Sequence, residues 1–240
     1  MQTNSWFKNL LPNLIAIVAF VIISALFSAP AVKGDRIAPH DSISWLYMSK
    51  EARDYYDKTG QNPGWINNMF SGMPASVVYE VTPTTWYAQL SRFIQFQPDD
   101  YMVNPIGYLF LTMLGCFVLL KAMRINTLIS SIGAIAYALT AYTSILIAAG
   151  HINKVLNLAY LPGLIGGIIF IYRGKYLSGI LSFALFLCFY LAAWHLQIIY
   201  YSIFLILAIC VYFLVIAIKE HKLAGFIKSS AIILGIAIAA

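Results

Sequence analysis

The sequence predicts an all-α, multi-pass integral membrane protein with a long polar segment between its first span and the others. Of its 240 residues, 61% are hydrophobic and only 10% are charged, whereas soluble domains carry about 25% charged residues. The apolar residues form stretches of about 20, the length that a helix needs to cross a bilayer. The aromatic content of 15% agrees with this class, because Trp and Tyr favour membrane interfaces.

Seven apolar stretches define the predicted helices. The first, residues 10–29, is predicted to be an uncleaved anchor because it exceeds the usual apolar length of a signal peptide. After the polar segment 30–100, the other stretches follow closely, at 101–120, 127–149, 155–172, 176–193, 198–218 and 227–240. The last stretch is still apolar at Ala240. We therefore expect residues 1–240 to be the N-terminal part of one longer transmembrane domain.

The basic residues of the short loops predict the orientation, since cytoplasmic loops are enriched in Lys and Arg. An N-terminus inside places eight basic residues on the cytoplasmic side: Lys8, Lys121, Arg124, Arg173, Lys175, Lys219, Lys222 and Lys228. The short outer loops then contain one basic residue, Lys154. Segment 30–100 is extracytoplasmic in this topology and slightly acidic. The net charge of +6 therefore does not indicate a nucleic-acid partner.

Within the outer segment, residues 42–58 are predicted to form one amphipathic helix at the membrane interface. Its apolar side chains fall on one stripe at helical spacing, namely Trp45, Met48, Ala52, Tyr55 and Tyr56. Gly and Pro in TGQNPGW, residues 59–65, end the helix. The stretch NNMFSGMPA, residues 67–75, is predicted to be a folded loop.

The usual cofactor and metal motifs are missing from the sequence. Cys116, Cys188 and Cys210 lie in apolar stretches without C-x-x-C spacing, which indicates inert thiols and no disulfide framework or zinc site. There is no Walker A, G-x-G-x-x-G or H-E-x-x-H pattern. A G-x-S-x-G nucleophile elbow is also absent. We expect neither a cofactor nor a metal.

Asp41, in RIAPHDSISW, is the candidate catalytic residue. It follows the first span and precedes the predicted interfacial helix. It has two interpretations: a helix N-cap, where Asp is favoured, or a general base acting on an acceptor hydroxyl at the outer membrane surface.

Two outer turns supply candidate binding residues. The turn AAGHINKVLNLAY contains His151, Asn153 and Lys154, and here Lys154 either extends toward water or binds an anionic phosphate. The turn AAWHLQIIYY contains His195 and Gln197, which either belong to an ordinary polar turn or join the same site. The topology brings all of these residues to the outer face, together with Asp41.

An outer face has no supply of ATP or nucleotide sugars, so a group-transfer donor there must arrive through the bilayer on a lipid. A polyprenyl-phosphate sugar fits this requirement. In such a reaction Lys154 would stabilise the charge of the leaving group, and Asp41 would take the proton of the acceptor.

Three stretches resemble the N-terminal part of the YfhO family of bacterial membrane proteins. They are HDSISWLYMSKEARDYYDKTGQNPGWINNMFSGMP, GHINKVLNLAYLPG and HLQIIYY. The resemblance implies a GT-C-like glycosyltransferase bundle in the bacterial cytoplasmic membrane, with a polyprenyl-phosphate-linked sugar and a cell-envelope polymer or protein acceptor as partners. It also implies a catalytic acid in the first outer loop, where Asp41 lies. His40 and Ser42, rather than a second acid, flank Asp41, so the resemblance does not imply a metal ligand.

Two other functions fit the same features. A transporter or flippase of a lipid-linked envelope intermediate would need the phosphate-binding Lys154 but no general base. A non-enzymatic membrane scaffold would depend on no single polar residue.

Overall fold

A computed structural model describes residues 5–79, 86–96, 103–193 and 195–240. Residues 101 and 102 of the predicted second span lie outside these ranges, and so does Trp194 of the turn AAWHLQIIYY. The described residues are mostly helical, with one small β-hairpin in the outer segment.

The first part of the chain consists of short elements after one long helix. In order they are α1 (Ser5–Phe27), α2 (Ala29–Val32), α3 (His40–Met48), α4 (Lys50–Thr59), β1 (Trp65–Ile66), β2 (Met73–Pro74), a 3-10 turn (Ala75–Val77) and α5 (Trp86–Ile94). The second part is a series of apolar helices. These are α6 (Pro105–Ala122), α7 (Thr127–Ala138), α8 (Ala141–Ala149), α9 (Ile152–Tyr172), α10 (Tyr176–Ala192), α11 (Leu196–Lys219) and α12 (Leu223–Ala239).

Each of the seven predicted apolar stretches is helical over most of its described residues. Four helices, α1, α6, α9 and α11, are long and apolar enough to cross a membrane, and counting the bent pair of α7 and α8 as one span gives five. α10 and α12 are shorter apolar helices of 17 residues each. These helices indicate a membrane protein.

The predicted span 127–149 is not one straight helix. α7 and α8 are bent by 43° at the break between them. Thr140, the N-cap of α8, has an extended backbone conformation, and its Oγ1 lies 3.1 Å from Oγ1 of Thr143. The extended backbone of Thr140 ends α7 and lets a new helix begin at Ala141. Hydropathy alone does not report such a break.

The densest packing joins α6, α9 and α10, which cross through glycines. A Cβ added to Gly115 of α6 would lie 2.0 Å from the carbonyl oxygen of Ala159 in α9, and one added to Gly167 would lie 2.6 Å from the backbone nitrogen of Phe183 in α10. Small residues let membrane helices approach this closely. The result is a rigid three-helix core.

The predicted single helix 42–58 was wrong, because the chain forms α3 and α4 with a break at Ser49. Ser49 is buried, its hydroxyl donates to the carbonyl of Leu46 (3.5 Å), and it accepts from Nε of Arg53 (3.2 Å). The middle of the apolar stripe covers the hairpin: Ala52 packs with Ile66 and Ala75 in a small fully buried cluster. This packing gives the outer segment a core of its own.

Candidate functional site

A cavity of about 630 Å³ lies where the start of α3, the junction of α8 and α9, and the start of α11 meet. We call it the polar cavity. Five of the six predicted site residues line it: Asp41, His151, Asn153, Lys154 and His195. Ser42, Trp45, Val103, Gly150 and Ile152 complete its lining. Residues separated by up to 154 positions in the sequence are therefore brought together.

Gly150 sets the distance between the two elements that carry the Asp41 and His151 side chains. It ends α8 in the left-handed conformation, with φ at +95°. A Cβ at this position would lie 2.8 Å from Cβ of Pro39 and 3.0 Å from Oγ of Ser42. Only glycine combines this backbone conformation with such close contact. The start of α3 therefore rests directly on the junction of α8 and α9.

Asp41 is not a helix cap, so the capping interpretation was wrong. α3 begins at His40, its N-cap is Pro39, and no side chain makes a capping hydrogen bond there. Instead, the carboxylate lies between two imidazoles: Oδ1 is 3.5 Å from Nδ1 of His40, and Oδ2 is 3.5 Å from Nδ1 of His151. The Asp41 side chain is 50% exposed. The carboxylate can therefore reach a ligand in the polar cavity while His151 restricts its rotation.

The beginning of α9 supplies the positive side of the polar cavity. His151 is the N-cap but makes no capping bond with its side chain, so the imidazole remains near Asp41. Asn153 and Lys154 lie in the first turn, where backbone N–H groups lack intrahelical acceptors and the helix carries partial positive charge. The Lys154 ammonium adds a full charge. A phosphate group is the kind of ligand that such an arrangement binds.

His195 is the N-cap of α11, and its orientation identifies the donor nitrogen. Nδ1 accepts a hydrogen bond from the backbone N–H of Ile198, at 3.4 Å. A neutral imidazole that accepts at Nδ1 carries its proton at Nε2. His195, which lines the polar cavity, therefore has Nε2 as its remaining hydrogen-bonding nitrogen.

Gln197 and Asn157 do not line the polar cavity. Gln197 is exposed, and its amide donates to the hydroxyl of Tyr201 at 3.2 Å. Asn157 is fully buried one turn further along α9, and its amide donates to the carbonyl of Asn153 at 2.9 Å. Asn157 therefore supports the first turn of α9 from behind. The prediction that Gln197 joins the site finds no geometric support.

Five lining residues of the polar cavity were not predicted to belong to a site, and two of them, Trp45 and Gly150, carry a signal in the sequence. Trp45 was assigned only to an apolar stripe, although it lies four residues after Asp41 and thus on the same face of α3. Its Nε1 donates to the carbonyl of Val78 at 2.6 Å, which fixes the indole ring. Gly150 ends an apolar stretch, a common signal for a left-handed helix end. Both signals were present in the sequence.

The described residues contain no group of three or more His, Cys, Asp or Glu side chains that could hold a metal ion. Among the same residues, Cys116, Cys188 and Cys210 are unpaired thiols. Comparisons with protein-family models, with curated proteins and with solved structures find no match for this chain.

Proposed function

We propose that the polar cavity transfers a sugar from a polyprenyl-phosphate donor to a cell-envelope acceptor at the outer face of the bacterial cytoplasmic membrane. The observation that carries this proposal is the combination of a carboxylate and an ammonium group, Asp41 and Lys154, in one cavity of about 630 Å³. A carboxylate and a phosphate-binding cation are what a transfer between a lipid phosphate and a hydroxyl requires.

The proposed step begins with Asp41. Its carboxylate takes the proton of the acceptor hydroxyl as the acceptor oxygen forms a bond to the anomeric carbon of the sugar. The bond between that carbon and the phosphate oxygen breaks, and the electron pair leaves with the polyprenyl phosphate. His151, 3.5 Å from Oδ2 of Asp41, keeps the carboxylate turned toward the acceptor.

Lys154 and the start of α9 stabilise the additional negative charge on the departing phosphate. The Nε2 proton of His195 offers a further hydrogen bond to a phosphate oxygen. Asn153, in the same turn as Lys154, contributes its amide to the phosphate or to a sugar hydroxyl. These groups belong to the first residues of two helices, so they are held in place before the ligand arrives.

A neighbouring apolar cavity supports a lipid-linked donor. Its volume is about 330 Å³, and it lies between the end of α1, α2, the start of α6 and α8. Ile37 lines this apolar cavity and forms two backbone hydrogen bonds, of 2.9 and 3.2 Å, with Val103, which lines the polar cavity. The two cavities are therefore neighbours across this bridge. In the proposed complex the phosphate of one amphiphilic molecule occupies the polar cavity and the adjoining hydrocarbon the apolar one.

The test compares Asp41→Asn with Asp57→Asn in membranes that contain the full chain. Asp57 is an exposed carboxylate on α4 and does not line the polar cavity. With radiolabelled polyprenyl-phosphate sugars as donors, we expect Asp41→Asn to lower transfer by about 100-fold or more, the usual contribution of a general base. Asp57→Asn should transfer at the wild-type rate. Unchanged transfer by Asp41→Asn would contradict the proposal.

A transporter of a lipid-linked envelope intermediate is the second candidate, favoured by the break between α7 and α8. Discontinuous helices line the substrate sites of many transporters, and Ser144 and Ile147 of α8 line the apolar cavity. The same pair of variants separates the two functions. A transporter would move labelled lipid across proteoliposomes equally well with Asp41→Asn and would transfer no sugar.

A further inference from the structure

A third cavity lies in the outer segment, between α4 and the β-hairpin, and we call it the hairpin cavity. Its volume is about 340 Å³, and its lining includes Glu51, Tyr55, Trp65 and Asn67. None of these residues lines the polar cavity. The composition is two aromatic rings, a carboxylate and an amide, without a Lys or Arg among the lining residues described.

Trp65 presents a flat, fixed surface at the hairpin cavity. One side of its indole lies against Gly72, where an added Cβ would come within 2.5 Å of Nε1 and 2.9 Å of two ring carbons. Gly72 also has φ at +114°, a conformation that other residues rarely adopt. Gly72 of the hairpin therefore packs against this part of the indole and holds the ring in place. Trp65 is nevertheless 55% exposed, which leaves a large part of the indole open to a ligand.

Glu51 is held in one position at the same cavity. Its carboxylate accepts hydrogen bonds from the backbone N–H groups of Asn67 and Asn68, each at 2.9 Å to Oε2. Oε1 accepts from the same Asn67 backbone N–H at 3.2 Å and from the Asn67 side-chain amide at 3.3 Å. These four bonds match the about four acceptor sites of a carboxylate, so Glu51 fixes the wall of the cavity. The bonds also tie α4 to the hairpin.

The base of the hairpin cavity is rigid. Ala52 of α4, Ile66 of β1 and Ala75 are fully buried against one another directly beneath it. Trp65 and Ile66 pair with Pro74 and Met73 across the hairpin. A site that is formed before binding loses little free energy in ordering its side chains. The exposed rings therefore do not depend on a ligand to position them.

We propose that the hairpin cavity binds a neutral saccharide, with one pyranose ring stacked on Trp65. The C–H face of a pyranose is apolar and weakly positive, and it matches the negative face of an aromatic ring. Its hydroxyls bind acceptors such as the Asn67 amide oxygen, which Glu51 helps to hold at the cavity through its bond to the Asn67 amide nitrogen. The absence of a cation in the described lining disfavours an anionic ligand.

Lipid is the competing occupant, because Trp and Tyr also favour membrane interfaces. The structure favours the saccharide, since burial of Glu51 beside the ring in hydrocarbon would remove water from a charged group at high cost. This inference stands apart from the transfer reaction proposed for the polar cavity, and either can hold without the other.

The experiment measures saturation-transfer difference NMR of maltotriose and chitotriose with the full chain in nanodiscs. We expect signals from the C–H protons of one sugar ring in the wild type, and about tenfold weaker binding for Trp65→Leu, which an aromatic contact of this size predicts. Trp86→Leu is the matched control, because Trp86 is 67% exposed on α5 and does not line the hairpin cavity. This control should bind as the wild type does.

Three further measurements complete the test. Tyr55→Leu, which replaces the other exposed ring, should weaken binding even if Trp65→Leu lowers the folded yield. Asp41→Asn should leave saccharide binding unchanged, so a failure of the transfer reaction is distinguished from a failure of this site. Equal binding by wild type and Trp65→Leu would overturn the proposal, as would no signal with either trisaccharide. Quenching of Trp65 fluorescence by brominated lipid would also overturn it, because it would show that the ring contacts the membrane.

Discussion

α9 and α11 are both long apolar spans, yet they occupy opposite environments. In α9, 72% of the span is buried within the described protein, whereas only 11% of α11 is. The buried helix is the less apolar one, with a mean hydropathy of 1.8 against 2.8. α9 contains Gly163, Gly166 and Gly167, and α11 contains no glycine. In this bundle the central helix is therefore marked by its small residues and not by a higher hydropathy.

The same difference extends to the polar cavity. α9 contributes His151, Asn153 and Lys154 from its beginning, while α11 contributes His195 alone. A helix that is packed on several sides holds its first turn in place, so charged groups on it keep their geometry. The predictions below test whether the functional residues follow the packing.

The largest expected effect is on the stability of the central helix. Gly167→Leu places a side chain where a Cβ already meets the Phe183 backbone at 2.6 Å, and we expect a loss of about 3 kcal/mol or more from overpacking. The matched control is Gly235→Leu in α12, where nothing lies within 4 Å of the added Cβ. Unfolding in mixed micelles should distinguish the two variants clearly. Equal stability would show that α9 is not the packed centre.

The next effect concerns sugar transfer and compares α9 with α11 directly. Lys154→Ala should lower transfer by about 100-fold, as loss of one group that stabilises developing charge does. Gln197→Ala should have no effect, because the Gln197 amide is bonded to Tyr201 outside the polar cavity. The measurement is the transfer rate with labelled donor. If polar groups of α11 rather than α9 bound the phosphate, Gln197→Ala would lower this rate more than Lys154→Ala.

A smaller effect is expected where α8 meets α9. Gly150→Ala adds strain at φ +95° and a contact of 2.8 Å with Pro39, and together these should cost about 1–3 kcal/mol. Transfer should fall as well, because α3 and Asp41 move away from His151. Gly174→Ala has similar strain, at φ +76°, but no atom within 4 Å of the new Cβ. That control should lose stability and keep its transfer rate.

The smallest effect lies outside both helices, on exposed α4. A hydrogen bond from Lys50 lowers the pKa of Asp54 below 3.8, at an Nζ to Oδ2 distance of 2.5 Å. Because the folded-state pKa is the lower one, this stabilisation is present above about pH 3.8 and is lost as the pH falls through the lowered pKa. Lys50→Gln should raise the Asp54 pKa in a carboxyl NMR titration. Lys58→Gln should change it less.

The helices could be predicted from the sequence, but the breaks at Thr140 and Ser49 could not, and the reason is physical. Long apolar stretches must be helical in a bilayer, because no water is available to satisfy their backbone groups. All seven stretches are accordingly helical over most of their described residues. The break at Thr140 and the break at Ser49 were not predicted. Each lies at a single residue, Thr140 with an extended backbone or Ser49 with a buried hydroxyl that donates to Leu46, and a hydropathy pattern contains no trace of either feature.

The candidate site was predicted in outline because topology alone brings loops to one face. Asp41, His151, Lys154 and His195 could be grouped from the order of the spans. The position of Gln197 could not be predicted, since a helix start turns its residues by about 100° each and only the register decides which of them face inward. Trp45 was not predicted to belong to the site, because its apolar stripe resembles a lipid-facing surface in the sequence. In the structure this stripe packs partly on the hairpin segment.

The backbone bridge between Ile37 and Val103 also ties the acid to the packed part of the bundle. Asp41 follows Ile37 by four residues, and Val103 precedes α6 by two. The segment that bears Asp41 is therefore joined to α6 through this bridge as well as to α1 through the chain, and α1 itself packs on α6. α6 in turn crosses α9, which bears Lys154, at close range. We therefore expect the crossing of α6 and α9 to set the distance between acid and cation.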